Sequence, residues 1–161
     1  MSEIIGKVKT FVQKMGFNPI VAPNNDDMII LAGLNGSNGG QFNVHLIGKD
    51  ASKDSPTILL VLSSFPIKVP SNKRERILSF LNKLNQDAWY TWLALSFDNG
   101  EIICRSCNRS MTNDAMNDDI IEPVIFSSIG RLDGLQPFIM DLIYSEKPVD
   151  TVLKEMQATT N

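Results

Sequence analysis

Histidine occurs once, cysteine twice and tryptophan twice in this 161-residue sequence, and the first two scarcities each remove a class of chemistry. A single imidazole, His45, excludes multi-histidine metal sites and leaves at most one histidine base. Cys104 and Cys107 have no second Cys/His pair to complete a four-ligand zinc site. No apolar run approaches the roughly 20 residues that cross a bilayer, so no membrane insertion is expected. The start carries Glu3 before Lys7 with periodic apolar positions, where a secretory signal needs a basic start and a continuous apolar run, so a cytoplasmic protein is expected. Lysine and arginine number 15 against 18 acids, a net charge of −3 that provides no broad cationic field for a phosphate backbone, and no nucleic-acid partner is expected. The excess acid lies in residues 117–161, locally −5, as on a solvated helix face.

What is present is an ordinary globular composition, 43% apolar and 20% charged, in a length that makes one domain over 1–161. Ser2 caps a helix with apolar positions Ile4, Ile5, Val8, Phe11, Val12 and Met15, ended by Gly16. Residues 18–27 are turn-rich, with room for a brief extended piece at Ile20 and Val21. Strands are predicted over about 28–34, 41–47 and 57–65. In the second, Phe42, Val44 and Leu46 alternate with Asn43 and His45; in the third, the continuous run Ile58 to Leu62 reads as a central strand covered on both sides. A second helix, capped by Ser71 or Asn72, presents Ile77, Leu78, Leu81 and Leu84 and leaves Lys73, Arg74 and Arg76 to water.

The hairpin that follows is expected to turn at Asn99-Gly100 in a type I′ turn, so that opposing residue numbers sum to about 199. Phe97, Leu95 and Leu93 then face Ile102, Cys104 and Ser106, while Ser96, Ala94 and Trp92 face Ile103, Arg105 and Cys107 on the other side. A long helical region carries Ile121, Ile125, Ser128, Leu132, Leu135, Ile139 and Leu142 on one seam, and Pro123, Gly130, Gly134 and Pro137 predict that it is bent or broken. Pro148 opens a last short helix with Val149, Val152, Leu153 and Met156, and residues 158–161 are expected to fray.

This order, αβββαββα plus a short terminal helix, carries Val69-Pro70, Arg74, Leu81-Asn82-Lys83-Leu84-Asn85, Asp98-Asn99-Gly100 and Arg105 at their places. In these it resembles the YbjN-type domain family, which is similar in fold to type III secretion chaperones. The resemblance implies an α+β fold with a single antiparallel sheet and flanking helices, in bacteria, cyanobacteria included. Members of the family are labelled sensory transduction regulators, and it supplies no catalytic residues to carry over. The related chaperones are small acidic homodimers that hold extended client segments, which implies by analogy a homodimer or a client-holding role.

The residues offer few sites of their own. Cys104-Arg105-Ser106-Cys107 has redox or zinc half-site spacing, but mid-strand its two thiols point to opposite faces and are expected to be reduced packing residues. His45 is read as a strand residue, Asp118-Asp119 as a helix start, Asp26-Asp27 as acids before a strand, and Gly36 to Gly40 as a flexible hairpin loop lacking a phosphate-binding ending. Catalytic residues, metal ligands and cofactors are expected to be none. The candidate interface is Tyr90, Trp92, Arg105 and Arg109, with Trp89 beside them; Trp92, Arg105 and Arg109 share the hairpin's second face, although the same side chains could pack under a helix. The expectation is a non-enzymatic protein-binding or regulatory module; the alternatives are a small-molecule sensor with a pocket between helix and sheet, and an enzyme of unrecognised chemistry.

Overall fold

A computed structural model describes residues 1–160 of the chain. Helix α1 (Glu3–Lys14) is followed by strands β1 (Ile20–Ala22), β2 (Asn25–Asn35), β3 (Gln41–Lys49) and β4 (Thr57–Ser64). Next come α2 (Arg74–Asn85), β5 (Thr91–Leu95), β6 (Ile102–Ser110), α3 (Asp118–Tyr144) and α4 (Val149–Thr160). All six strands form one antiparallel sheet in the order β1-β2-β3-β4-β6-β5, so the fold is α+β with β3 and β4 central.

The brief extended piece at Ile20 is a real edge strand: it lies between Pro19 and Pro23, and an edge tolerates prolines because it forgoes ladder bonds on one side. It pairs Ile20 with Ile30 and Val21 with Ile29, and Asn25 to Asp27 belong to β2 rather than to a turn. At α1 the Ser2 hydroxyl accepts the Ile5 N–H at 3.4 Å and Gly16 takes φ +85°, as capping chemistry requires. The Asp50 carboxylate adds a second cap, accepting from Glu3 and Ile4 N–H at 2.7 and 2.9 Å.

The apolar seam of α3 is buried at every position named above, from Ile121 to Leu142. The helix is unbroken over 27 residues, so of the bend or break expected from its prolines the break does not occur. Pro137 removes the bond to the carbonyl four residues earlier, that of Asp133, and that carbonyl instead accepts from the Asn38 side-chain amide at 2.8 Å. The Asp133 carboxylate accepts the Ser37 and Asn38 N–H groups at 2.9 and 3.1 Å. The glycine-rich loop is therefore pinned to α3 rather than flexible, and a Cβ at Gly36 would run into Asp133 and the Phe42 ring.

Around α2, Phe80 joins Ile77 and Leu81 inside while Leu78 and Leu84 are half-buried; a 3-10 turn from Ser71 to Lys73, with no side-chain cap, replaces the expected start. Lys73, Arg74 and Arg76 are not left to water: they bond Glu146, the Val69 and Phe97 carbonyls, and the Ser145 carbonyl. The terminal helix buries Val152 and runs to Thr160, so residues 158–160 are helical; the fraying expected at Asn161 lies outside the described residues.

The hairpin register differs from expectation by two. Observed pairs are Leu95–Ile102, Ala94–Ile103, Leu93–Cys104, Trp92–Arg105 and Thr91–Ser106. Asn99 does not adopt the positive φ that a two-residue type I′ turn demands; Gly100 alone does, at +73°. The cause is tertiary: Val69 N–H donates to the Gly100 carbonyl at 2.7 Å, its backbone fills the space a Gly100 side chain would need, and Arg74 holds Phe97. The connection widens to four residues, Phe97 to Gly100. A slip of two keeps the strand side chains on their faces, so Leu93, Ile102, Cys104 and Ser106 are inside as expected, whereas Phe97, expected on the core face opposite Ile102, falls in the turn and is 49% exposed.

Candidate functional site

Strand alternation divides the sheet into a covered and a bare face. The inward set includes Ile29, Leu31, Phe42, Val44, Leu46, Leu59, Val61, Leu93, Ile102 and Cys104, all in one buried cluster with α1, α2 and α3. Tight points fix the layer: Ser63 and Ser128 hydroxyls meet at 2.6 Å, Ser106 donates its hydroxyl hydrogen to the Val124 carbonyl, and a Cβ at Gly48 would meet Ile4 and Ile5. No helix covers the outward set among the described residues. Strand β4 shows it residue by residue, with Thr57, Leu59, Val61 and Ser63 buried and Ile58, Leu60, Leu62 and Ser64 half-buried. The expectation of cover on both sides of this strand is therefore corrected: its continuous apolar run serves two faces, of which the second is open.

Cross-strand pairing sorts the bare face into rows. One row crosses all six strands as Ile20, Ile30, His45, Leu62, Arg105 and Trp92. Beside it on one side run Met28, Ile47, Leu60 and Cys107, then Lys49, Ile58 and Arg109; on the other run Asn43, Ser64, Ile103 and Ala94. The centre is aliphatic apart from His45. Lys49, Arg105 and Arg109 form no ion pair or side-chain hydrogen bond among the described residues, and strands β3 to β6 place no acid on this face.

The expected interface residues come together at one end of it. Trp92 sits directly across from Arg105 and is 55% exposed, and Trp89 and Tyr90, just before β5, are 91% and 83% exposed. Packing under a helix is thus not what holds these rings. Arg109 is four residues along β6 from Arg105, on the same face but nearer Lys49.

The outer edge at β5 is closed. Asn85, buried at the end of α2, donates its amide hydrogen to the Leu93 carbonyl at 2.8 Å and accepts the Leu93 N–H at 2.9 Å, standing in for a neighbouring strand. Arg131 of α3 donates to the Thr91 carbonyl at 3.1 Å and to the Leu84 carbonyl at 2.9 Å. Strand addition along Thr91 to Leu93 is thereby blocked, as protected edges require.

Reactive groups are dispersed. Cys104 is fully buried and Cys107 half-buried on the opposite face, as strand alternation predicts; both are free thiols. Burial pushes the Cys104 thiol up to about 11, against the opposing pull of the Arg131 charge and a hydrogen bond with Thr91, so it is a poor nucleophile. The His45 side chain has no hydrogen-bond partner among the described residues and lies between Ile30 and Leu62. Asp27 accepts the Ser2 N–H at 2.6 Å, and Asp118 pairs with Lys14 behind an Asn117 cap. Among the described residues no three His, Cys, Asp or Glu side chains gather as a metal site, and no helix is long and apolar enough to cross a membrane. Sequence reading missed Asn85 and Asp133, whose roles depend on partners 8 and about 95 residues away; a polar residue on an otherwise apolar helix stripe was the available signal for both. No model of a known protein family matches the chain, and no curated protein matches it.

Proposed function

We propose that this chain is a non-enzymatic protein-binding module that works as a homodimer joined through the bare sheet face. The observation that carries the reading is the uncovered aliphatic row structure around Leu60 and Leu62 with Trp92 and Arg105 at its end. Six strands about 4.8 Å apart and four rows about 6.7 Å apart span roughly 600 Å² in projection. Side-chain relief and the Trp92–Tyr90 rim bring this near the roughly 800 Å² per partner of a stable interface. Aromatic and arginine anchors at such a patch are the residues that carry binding energy elsewhere. A protein fits this face better than single-stranded nucleic acid does, since the central positions are mostly Ile, Leu and Met with His45 the single ring among them, too few for successive bases to stack.

Charge selects the symmetry. A two-fold axis along the strands would lay the Lys49–Arg109 row on its own copy. An axis in the sheet plane and across the strands lays that row over Asn43, Ser64 and Ile103, and sets Leu60 of one copy against Leu62 of the other. The second arrangement brings no cationic row against its own copy and is the one proposed. Sedimentation of Leu62→Glu beside native protein tests it, with circular dichroism to establish that the variant folds. The proposal expects at least a hundredfold weaker self-association; a folded variant that associates as tightly as the native chain would place any dimer on another surface.

A further inference from the structure

Strand β6 outruns its neighbour. It pairs with β4 from Ile103 to Ser110, whereas β5 stops at Thr91 opposite Ser106. The direction of the unpaired main chain follows from two bonds: Phe65 N–H donates to the Ile102 carbonyl, which puts the even-numbered groups of β6 toward β4, and Ser96 N–H donates to the Glu101 carbonyl, which puts the odd-numbered groups toward β5. Both Arg109 main-chain groups therefore point into the space where β5 no longer runs. Neither finds a partner among the described residues.

A groove adjoins this gap. It is a cavity of about 270 Å³ bounded by Tyr90, Asn108 and Cys107 on one side and by Ile120, Pro123 and Val124 of α3 on the other. It is mostly apolar and somewhat smaller than the roughly 300–1,000 Å³ of small-molecule sites, a size for one or two aliphatic side chains. Arg109 and Arg105 lie on the bare face just beside it, with no acid paired to either.

We infer that this gap is a strand-addition site for a short extended segment of another protein, alternating apolar and acidic. The segment's main chain bonds the Arg109 N–H and carbonyl and continues the line of β5. Its residue opposite Asn108 points to the helix side and drops an aliphatic side chain into the groove. Its residue opposite Arg109 points to the bare face, where an acidic side chain meets Arg109, with Arg105 four residues along the same strand. The closed Asn85–Leu93 edge limits addition to this end. The Arg109 main-chain groups and the groove lie at the sheet edge, while the Arg105 and Arg109 side chains also border the proposed dimer face; the backbone-methylated peptide, which changes no residue of the chain, tests the edge site apart from the dimer.

The probe is a seven-residue capped peptide alternating Glu and Val, titrated into the full chain and followed by amide NMR and calorimetry. Expected are saturable binding, slowed hydrogen exchange at the Arg109 amide, and at least tenfold weaker binding to Arg109→Glu. The same peptide methylated on its backbone nitrogens, tested on native protein, is expected to lose binding and does not depend on how the variant folds. Equal binding of the methylated peptide, or of a Lys–Val alternating one, would overturn the proposal in favour of an apolar pocket or nonspecific adhesion. Absence of binding at millimolar peptide would overturn it too, as would Arg109 amide protection that rises with protein concentration alone, which would assign the edge to a second copy.

Discussion

Replacing Asn85 with alanine should be among the most damaging single changes outside the apolar core. Asn85 is 5% exposed, and its amide satisfies both main-chain groups of Leu93 on a strand edge that no other strand covers. Truncation strands one buried N–H and one buried carbonyl, each costing about 1–3 kcal/mol when unpaired. Some water entry at the edge offsets part of this, so a loss of about 3 kcal/mol is expected. For a chain of this size each kcal/mol lowers the melting temperature by roughly 2–4 °C, which converts to a fall of about 6–12 °C. Urea and thermal melts followed by circular dichroism give the measurement. Asn85→Asp makes the contrast: it keeps the acceptor for the Leu93 N–H but loses the donor to the carbonyl and buries a charge, so it should destabilise no less than alanine. An alanine variant within about 0.5 kcal/mol of native would refute the view that this side chain closes the edge.

Trp92→Glu should weaken the dimer by roughly 2–5 kcal/mol, because it sets a charge in a dehydrated contact; equilibrium sedimentation reads the change, and an unaltered dimer would move the contact off the hairpin. Asp133→Ala removes the acceptor for two loop N–H groups and should cost about 2–3 kcal/mol in a urea melt, with faster amide exchange at Ser37 and Asn38 as the local signature. The Cys104 thiol should leave a pH signature: its folded value of about 11 lies above the ordinary thiol range, so the unfolded chain ionises first and stability should fall as pH rises from about 9 to 11. Cys104→Ser or Cys104→Ala should flatten that part of the profile, and a profile with no fall there would contradict the burial argument. A thiol reagent at pH 8 should modify Cys107 well before Cys104, and mild oxidant should form no bond between them within one chain, which intact-mass spectrometry checks.

Local patterns foretold what depends on local chemistry. The α3 seam follows from its periodicity, the Ser2 cap from its spacing, and the division of the hairpin into a core side and a Trp92–Arg105 side from alternation alone. Features set by distant partners were not legible. The turn at Gly100 is widened by Val69 and Arg74, some 30 residues away, and the Pro137 helix stays whole because Asn38 supplies the bond its geometry needs. The bare face was half legible: an apolar run such as Ile58 to Leu62 tells that both sides of a strand are greasy, but not which side its own helices cover. That Trp92, Arg105 and Arg109 share one register face was legible from alternation, whereas their aliphatic neighbours on that face, Leu60, Leu62, Ile47 and Ile30, looked like core.

The native mass in solution tests the central claim most directly. Light scattering on reduced protein at micromolar concentration should give twice the 17.9 kDa chain mass, because an aliphatic six-strand face of this size is costly to leave wet. A mass of one chain across that concentration range would contradict the account.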